Sequence, residues 1–190
     1  MATADEFREA MSRFPAGVTI TTTVDAAGKW WGFTASAFCS LSADPPLILV
    51  CVAKSAECHP AFMAGESFAV HFLAEPHQDL ALLFARRGAD KFAGGNFELS
   101  DRGLPVLRTA SSILECSVHA RHEGGDHTIL VGQVEDAMVG PDRPVVYFRR
   151  DFHSLPLPPE GDVEVAPGAG AQLRAIRDPT RGTSEQRGSA

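Results

Sequence analysis

From Leu47 to Ala53 the chain reads Leu-Ile-Leu-Val-Cys-Val-Ala, an unbroken apolar run that ends at Lys54-Ser55. Such a run suits a strand buried on both faces, and by periodicity alone it also suits a segment of buried helix. Pro45 and Pro46 stop any helix from running into it. The stretch just upstream is different: Thr34, Ser36, Ser40 and Ser42 set hydroxyls among the small residues Ala35, Ala37 and Ala43. Small side chains let a ligand approach the backbone. A phosphate takes hydroxyl and amide donors at close range with a cation nearby, and Lys54 could supply the cation. A polar loop feeding a core strand accounts for the same residues without any ligand.

A chain of 190 residues suits one domain with a substantial core. A hydrophobic content of 44% with 22% charged residues is ordinary for a soluble globular protein. The net charge of -7 argues against a general nucleic-acid binder, which needs a basic surface. No apolar run approaches the roughly 20 residues that span a bilayer. Asp5, Glu6 and Glu9 stand where a secretory signal would be basic and then apolar, so a cytoplasmic protein with no membrane partner is expected. Cys39, Cys51, Cys58 and Cys116 fit no zinc or iron–sulfur spacing. Cys51 and Cys116 read as small core residues, and the Cys58-His59 pair, without further ligands, as structural.

Thr3 followed by Glu6 is a capping-box pattern, and Phe7, Ala10, Met11 and Phe14 mark one face of a helix running to about Arg13. Val18 to Val24 is β-branched and reads as a strand. Asp25 to Gly28 supplies turn chemistry, and Lys29 to Phe33 starts the return strand of a hairpin. Glu57 to Ala64 predicts a short helix with Pro60 near its start and Gly65 at its end. Ser67 to Leu73 is a further strand, with Phe68, Val70 and Phe72 on one side and His71 on the other. A helix over Gln78 to Arg87 carries Leu80, Leu83 and Phe84 on one stripe. Ser112 to His122 and His127 to Val139 form two long strands closed by a turn at Glu123 to Asp126, and Pro144 to Phe148 is the last strand. These elements predict a mainly β domain over residues 1–155 with few, short helices. Residues 156–190, rich in Pro and Gly, predict a tail with little fixed structure.

The sequence carries no Gly-x-Gly-x-x-Gly between a strand and a helix, no P-loop and no Gly-x-Ser-x-Gly elbow. Four ordered segments point elsewhere: Phe14 to Val18, Gly32 to Ser42, Asp44 to Leu47, and Gly125-Asp126-His127. From about Phe7 to Leu155 the chain resembles the flavin reductase-like family, short NAD(P)H-dependent enzymes that feed two-component monooxygenases. The resemblance implies a Greek-key-like split β-barrel that binds FMN or FAD, works as a homodimer and hands reduced flavin to a separate oxygenase. NADH or NADPH would be the hydride donor, and the absence of a clear arginine cluster favours NADH.

The same resemblance sets Thr34, Ala35, Ser36 and Ala37 along the flavin's pyrimidine edge and ribityl chain. Ser40, Lys54 and Ser55 become candidates for its phosphate. Phe84, Ala85 and Phe92, in segments that also resemble the family, would lie beside the ring. His127 matches the family histidine that contacts the nicotinamide nucleotide, so its implied role is to position that nucleotide with no acid–base duty. Asp126 reads as a turn-shaping residue. Two rivals share these residues: tightly held FMN reducing ferric or other small acceptors, and a non-catalytic flavin or haem module using His59, His71 or His77.

Overall fold

Helix α1 (Ala4–Ser12) starts where its capping box puts it: the Thr3 hydroxyl accepts from the Glu6 amide, and the Glu6 carboxylate accepts from the Thr3 amide. Strands follow at β1 (Ala16–Gly17), β2 (Thr19–Val24), β3 (Trp30–Ala35), β4 (Phe38–Ala43) and β5 (Pro46–Ala53). Helix α2 (His59–Ala64), strand β6 (Ser67–Phe72) and helix α3 (Gln78–Ala85) complete the first half. The second half is all strand: β7 (Glu98–Leu99), β8 (Pro105–Val106), β9 (Ser112–Gly124), β10 (His127–Val139), β11 (Val145–Phe148) and β12 (Asp151–Ser154). The computed structural model describes residues 1–155, so the expected tail over 156–190 lies outside the described residues.

Seven strands form one antiparallel sheet in the order β3-β2-β6-β9-β10-β5-β4. Its two edge strands, β3 and β4, are joined only by Ser36 and Ala37. A two-residue link spans at most about 11 Å from Ala35 to Phe38, so the two edges must meet and the sheet must curl. The core agrees. Phe33 of β3, Ile48, Val50 and Val52 of β5, Phe68 and Val70 of β6, Cys116 of β9 and Leu130 of β10 share one buried cluster. Residues from an edge, the centre and the far side of a flat sheet could not touch. Glycine at 132 permits the tightest packing: a Cβ there would lie 2.9 Å from that of Cys116 and collide with the Phe68 ring. A second cluster, with Ile20, Leu73, Phe84, Phe97 and Val106, packs α3 and the segment after it onto the sheet's other face.

Three expectations are corrected. The apolar run of β5 is not buried on both faces: Ile48, Val50 and Val52 are buried, while Leu47, Leu49, Cys51 and Ala53 are half-buried. The strands covered on both sides are β2, buried from Thr19 through Thr23, and β6, buried from Phe68 through His71. The polar stretch Phe38–Ala43 is strand β4, paired with β5, rather than a loop. Residues after Phe148 do not simply trail away. Arg149 and Arg150 take left-handed φ values of 51° and 65° and turn β12 back onto β11.

Candidate functional site

The site lies where the curled sheet fails to close, at the ends of β3 and β5. Helix α3 is fastened over it. The Thr34 hydroxyl donates to the Ala81 carbonyl at 2.6 Å, and Gly32 lies so close to Phe84 that a Cβ there would be 2.7 Å from the ring. Lys91, half-buried, donates from Nζ to the carbonyls of Phe84 (2.8 Å) and Gly32 (3.0 Å). One ammonium thus ties the last turn of α3 to an edge strand, and a cation at a helix C-terminus is also favoured by the helix dipole. Burial pulls the Lys91 pKa down from its ordinary value.

A cavity of about 370 Å³ opens between these parts. Its walls include Thr34, Ala35, Ser36 and Ala37 from β3 and the link, Ser55 beyond β5, Phe84 and Ala85 at the end of α3, and His127 at the start of β10. A neighbouring cavity of about 650 Å³, walled by Trp30, Trp31 and Phe92, shares Glu57, Cys58 and Lys91 with it. Both volumes lie in the range of about 300–1,000 Å³ common for small-molecule sites.

Most residues singled out from the sequence therefore converge, and a few do not. Phe84 is fully buried and stacks edge-on with Phe92 at 5.2 Å, so it forms the floor of the cavity. Phe92 faces the larger neighbouring cavity and packs against Trp30 at 5.5 Å. Ser40 sits exposed on β4 opposite Ile48, away from both cavities. Lys54 is also apart: it pairs with Glu123 while Ala53 and Ser55, on either side of it, line the cavity. Lys54 stands in the turn that follows β5, and its ammonium goes to Glu123 on β9. The Glu123 carboxyl is held below its ordinary range by that lysine.

The cations that do line the cavity are Arg86 and Arg87, with Lys91. Both arginines are exposed, and among the described residues neither has an ion-pair partner. Read from the sequence alone, these two residues carry no role. Their sequence signal is weak, because Asp90 follows closely and two arginines past a helix end read as an ordinary solvated terminus. Cys51 lines the same cavity instead of filling the core. Cys58 does pack inside; burial pushes its thiol pKa up, which keeps it protonated and a poor nucleophile.

His127 is oriented by its neighbour. Its Nδ1 lies 2.8 Å from an Asp126 carboxylate oxygen, and this contact holds the Asp126 pKa below its ordinary value. The other histidines weighed as haem ligands are engaged elsewhere. His71 is fully buried with Nδ1 2.8 Å from the Ile20 carbonyl, His59 meets the Thr128 hydroxyl, and His77 meets Thr109. No cluster of metal-binding side chains occurs among the described residues.

Comparison with known proteins bears directly on this geometry. The model of the flavin reductase like domain matches residues 11–156. The chain belongs to that family. A Streptomyces coelicolor relative named actinorhodin polyketide dimerase is 49% identical over 149 residues, covering 78% of this chain and 84% of that one. An NADH:riboflavin 5'-phosphate oxidoreductase of Streptomyces pristinaespiralis is 39% identical over 151 residues, covering 78% and 86%. Among solved structures, the NADH:FAD oxidoreductase of Streptomyces globisporus C-1027, in complex with NAD and FAD fragments, superposes with a TM-score of 0.75 at 34% identity, covering 83% of this chain and 94% of that one. The flavin reductase component of a bacterial two-component tryptophan halogenase gives 0.76 at 33%, covering 82% and 100%. These neighbours place the curled sheet described above among the split barrels of flavin reductases.

Proposed function

We propose that this flavin reductase-like chain transfers hydride from NADH to FMN or FAD and releases the reduced flavin to a separate oxygenase. The observation that carries the reading is the cavity at the split, which gathers small residues, hydroxyls, two free arginines and an oriented histidine in one place. The names of its relatives support NADH as donor and either flavin as acceptor. The halogenase reductase component supports a separate partner.

The residues fit a flavin. Ala35 and Ala37 leave room for a flat ring, and Ser36 and Ser55 offer hydroxyls to a ribityl chain. Arg86 and Arg87 suit its phosphate, in place of Ser40 and Lys54. The Thr34 hydroxyl donates its hydrogen bond to the Ala81 carbonyl, so only its lone pairs remain for a ligand. When bound, the flavin supplies the hydride acceptor at N5, so the protein's duties are binding, orientation and electrostatics. Donors and cations at the cavity wall stabilise negative charge that grows on reduction. His127, at the rim of the cavity, positions the nicotinamide.

Ser36, Ala37, Ser55, Ala85, Arg86 and Arg87 are all exposed, so the cavity opens to solvent and suits a flavin that exchanges rather than one held permanently. We also infer a homodimer that uses the outer face of β5, where Leu47 and Leu49 are left half-buried. Four free cysteines agree with a reducing, cytoplasmic setting. Among the described residues no helix is long and apolar enough to cross a membrane.

The test is an anaerobic mixture of purified chain, NADH and free FMN or FAD. Bleaching of the flavin absorbance is the expected outcome; no bleaching with either flavin, using NADH or NADPH, rejects the reductase.

A further inference from the structure

We propose that Asp126 is a positioning residue that fixes the tautomer of His127 and so presents ring Nε2 to the cavity as a hydrogen-bond acceptor. The inference rests on the role given above to His127 and goes beyond it by assigning the state of the ring and the residue that sets it.

An ionised carboxylate can only accept hydrogen bonds. Asp126 is ionised at neutral pH, since its pKa is held down chiefly by the bond to His127. Its oxygen lies 2.8 Å from Nδ1 of His127, so Nδ1 must be the nitrogen that carries hydrogen. In the neutral ring the second nitrogen, Nε2, then keeps a lone pair. His127 is among the residues that line the cavity. A lone pair aimed there accepts from an N–H donor, and the carboxamide of a nicotinamide offers one. The opposite tautomer would present a donor at Nε2, which could meet only the carboxamide oxygen and not its N–H.

The surrounding backbone holds the pair in place. Gly125 has φ +74° at the first of two turn positions, which is what a tight hairpin of this kind asks of glycine. The Lys54 amide donates to the Asp126 carbonyl at 2.9 Å, tying the turn to the end of β5. His127 pairs with Ala53, itself a cavity residue. The cation that could compete for Asp126 is the Lys54 ammonium, and it is paired with Glu123. Asp126 thus has both the geometry and the freedom to serve His127, although its position in a hairpin turn alone suggests only turn formation.

The experiment uses the full chain labelled with ¹⁵N-histidine, without nucleotide, at a pH where the rings are neutral. The His127 signals are assigned by their loss in His127→Gln. The expected spectrum shows hydrogen on Nδ1 in the native chain, a shift toward the Nε2-protonated form in Asp126→Asn and Asp126→Ala, and partial recovery in Asp126→Glu. In steady-state assays Asp126→Asn raises the KM for NADH by about threefold to fivefold, the scale of an exposed ion pair, with smaller changes in kcat and in the KM for flavin. Hydrogen on Nε2 in the native chain, or a tautomer unmoved by Asp126→Asn, overturns the proposal. A tautomer that moves while the KM for NADH does not leaves Asp126 as the positioning residue and removes the nicotinamide contact from His127.

Discussion

Strands β2 and β5 invert what hydrophobicity alone would suggest. β2 is mostly threonine, yet Thr19 through Thr23 are all buried. β5 is apolar almost throughout, yet every second side chain is left half-buried. The difference comes from position. β2 lies between the two core clusters and so has protein on both faces, with Ile20 in one cluster and Val70, the β6 residue opposite Thr21, in the other. β5 lies next to the edge strand β4, with its outer face open and its end at the cavity. Threonines survive in the core because their hydroxyls find carbonyls: Thr19 donates to Ala35, Thr22 to Pro105 and Thr23 to Ser67, at 2.9, 2.7 and 2.8 Å. The apolar residues on the outer face of β5 have no such reason to be there unless something else covers them, which is where the cavity and the inferred second copy lie.

Stability measurements separate the two strands most sharply. Ile20→Ala should cost about 2–5 kcal/mol in urea denaturation, because it empties a fully buried site. Leu49→Ala on the outer face of β5 should cost the isolated chain under about 1 kcal/mol and instead weaken self-association in sedimentation. Equal losses would erase the contrast.

The next effect is tied to pH. His71, on β6 beside β2, is fully buried and its pKa is lowered from 6.5 to about 4, chiefly by burial. Below pH 6.5 the unfolded chain therefore binds the proton that the folded chain refuses. The stabilisation is fully present above pH 6.5 and is lost as pH falls toward 4, by roughly 3 kcal/mol. His71→Leu should flatten that slope, whatever it does to stability at pH 7; an unchanged slope would show that His71 is not the group responsible.

Two threonines give a smaller, signed test. Thr22→Val strands the Pro105 carbonyl and should cost about 1–3 kcal/mol. The Thr21 hydroxyl is buried without a partner, so Thr21→Val should be neutral or stabilising by up to about 1 kcal/mol. Matching losses at both positions would mean that hydroxyl satisfaction does not explain the threonine strand.

Elements with local signals were legible in the sequence. The capping box of Thr3 and Glu6 fixed the start of α1, and β-branched residues marked β2. Strand β4 was hidden because Ser40 and Ser42 resemble loop residues, and only pairing with β5 makes them extended. β12 was hidden for a similar reason, since its reversal depends on two arginines in a backbone region that side chains rarely adopt. At the site, the order of short motifs pointed to Thr34 through Ala37 and to His127. Lys54 was misplaced because its ammonium goes to Glu123, a partner far away in the sequence, and Arg86 and Arg87 reach the cavity only through the seating of α3. The Asp126–His127 contact needed coordinates, because adjacency in a turn does not tell which ring nitrogen meets the carboxylate.

The central claim is that flavin occupies the cavity at the split, beside the open end of β5. Titrating the ¹⁵N-labelled chain with FMN and following backbone amide shifts tests it most directly. The account predicts the largest shifts at residues 33–37, 51–58 and 84–91 and at His127, with β2 nearly unmoved. Shifts centred anywhere else, or none at saturating FMN, would contradict it.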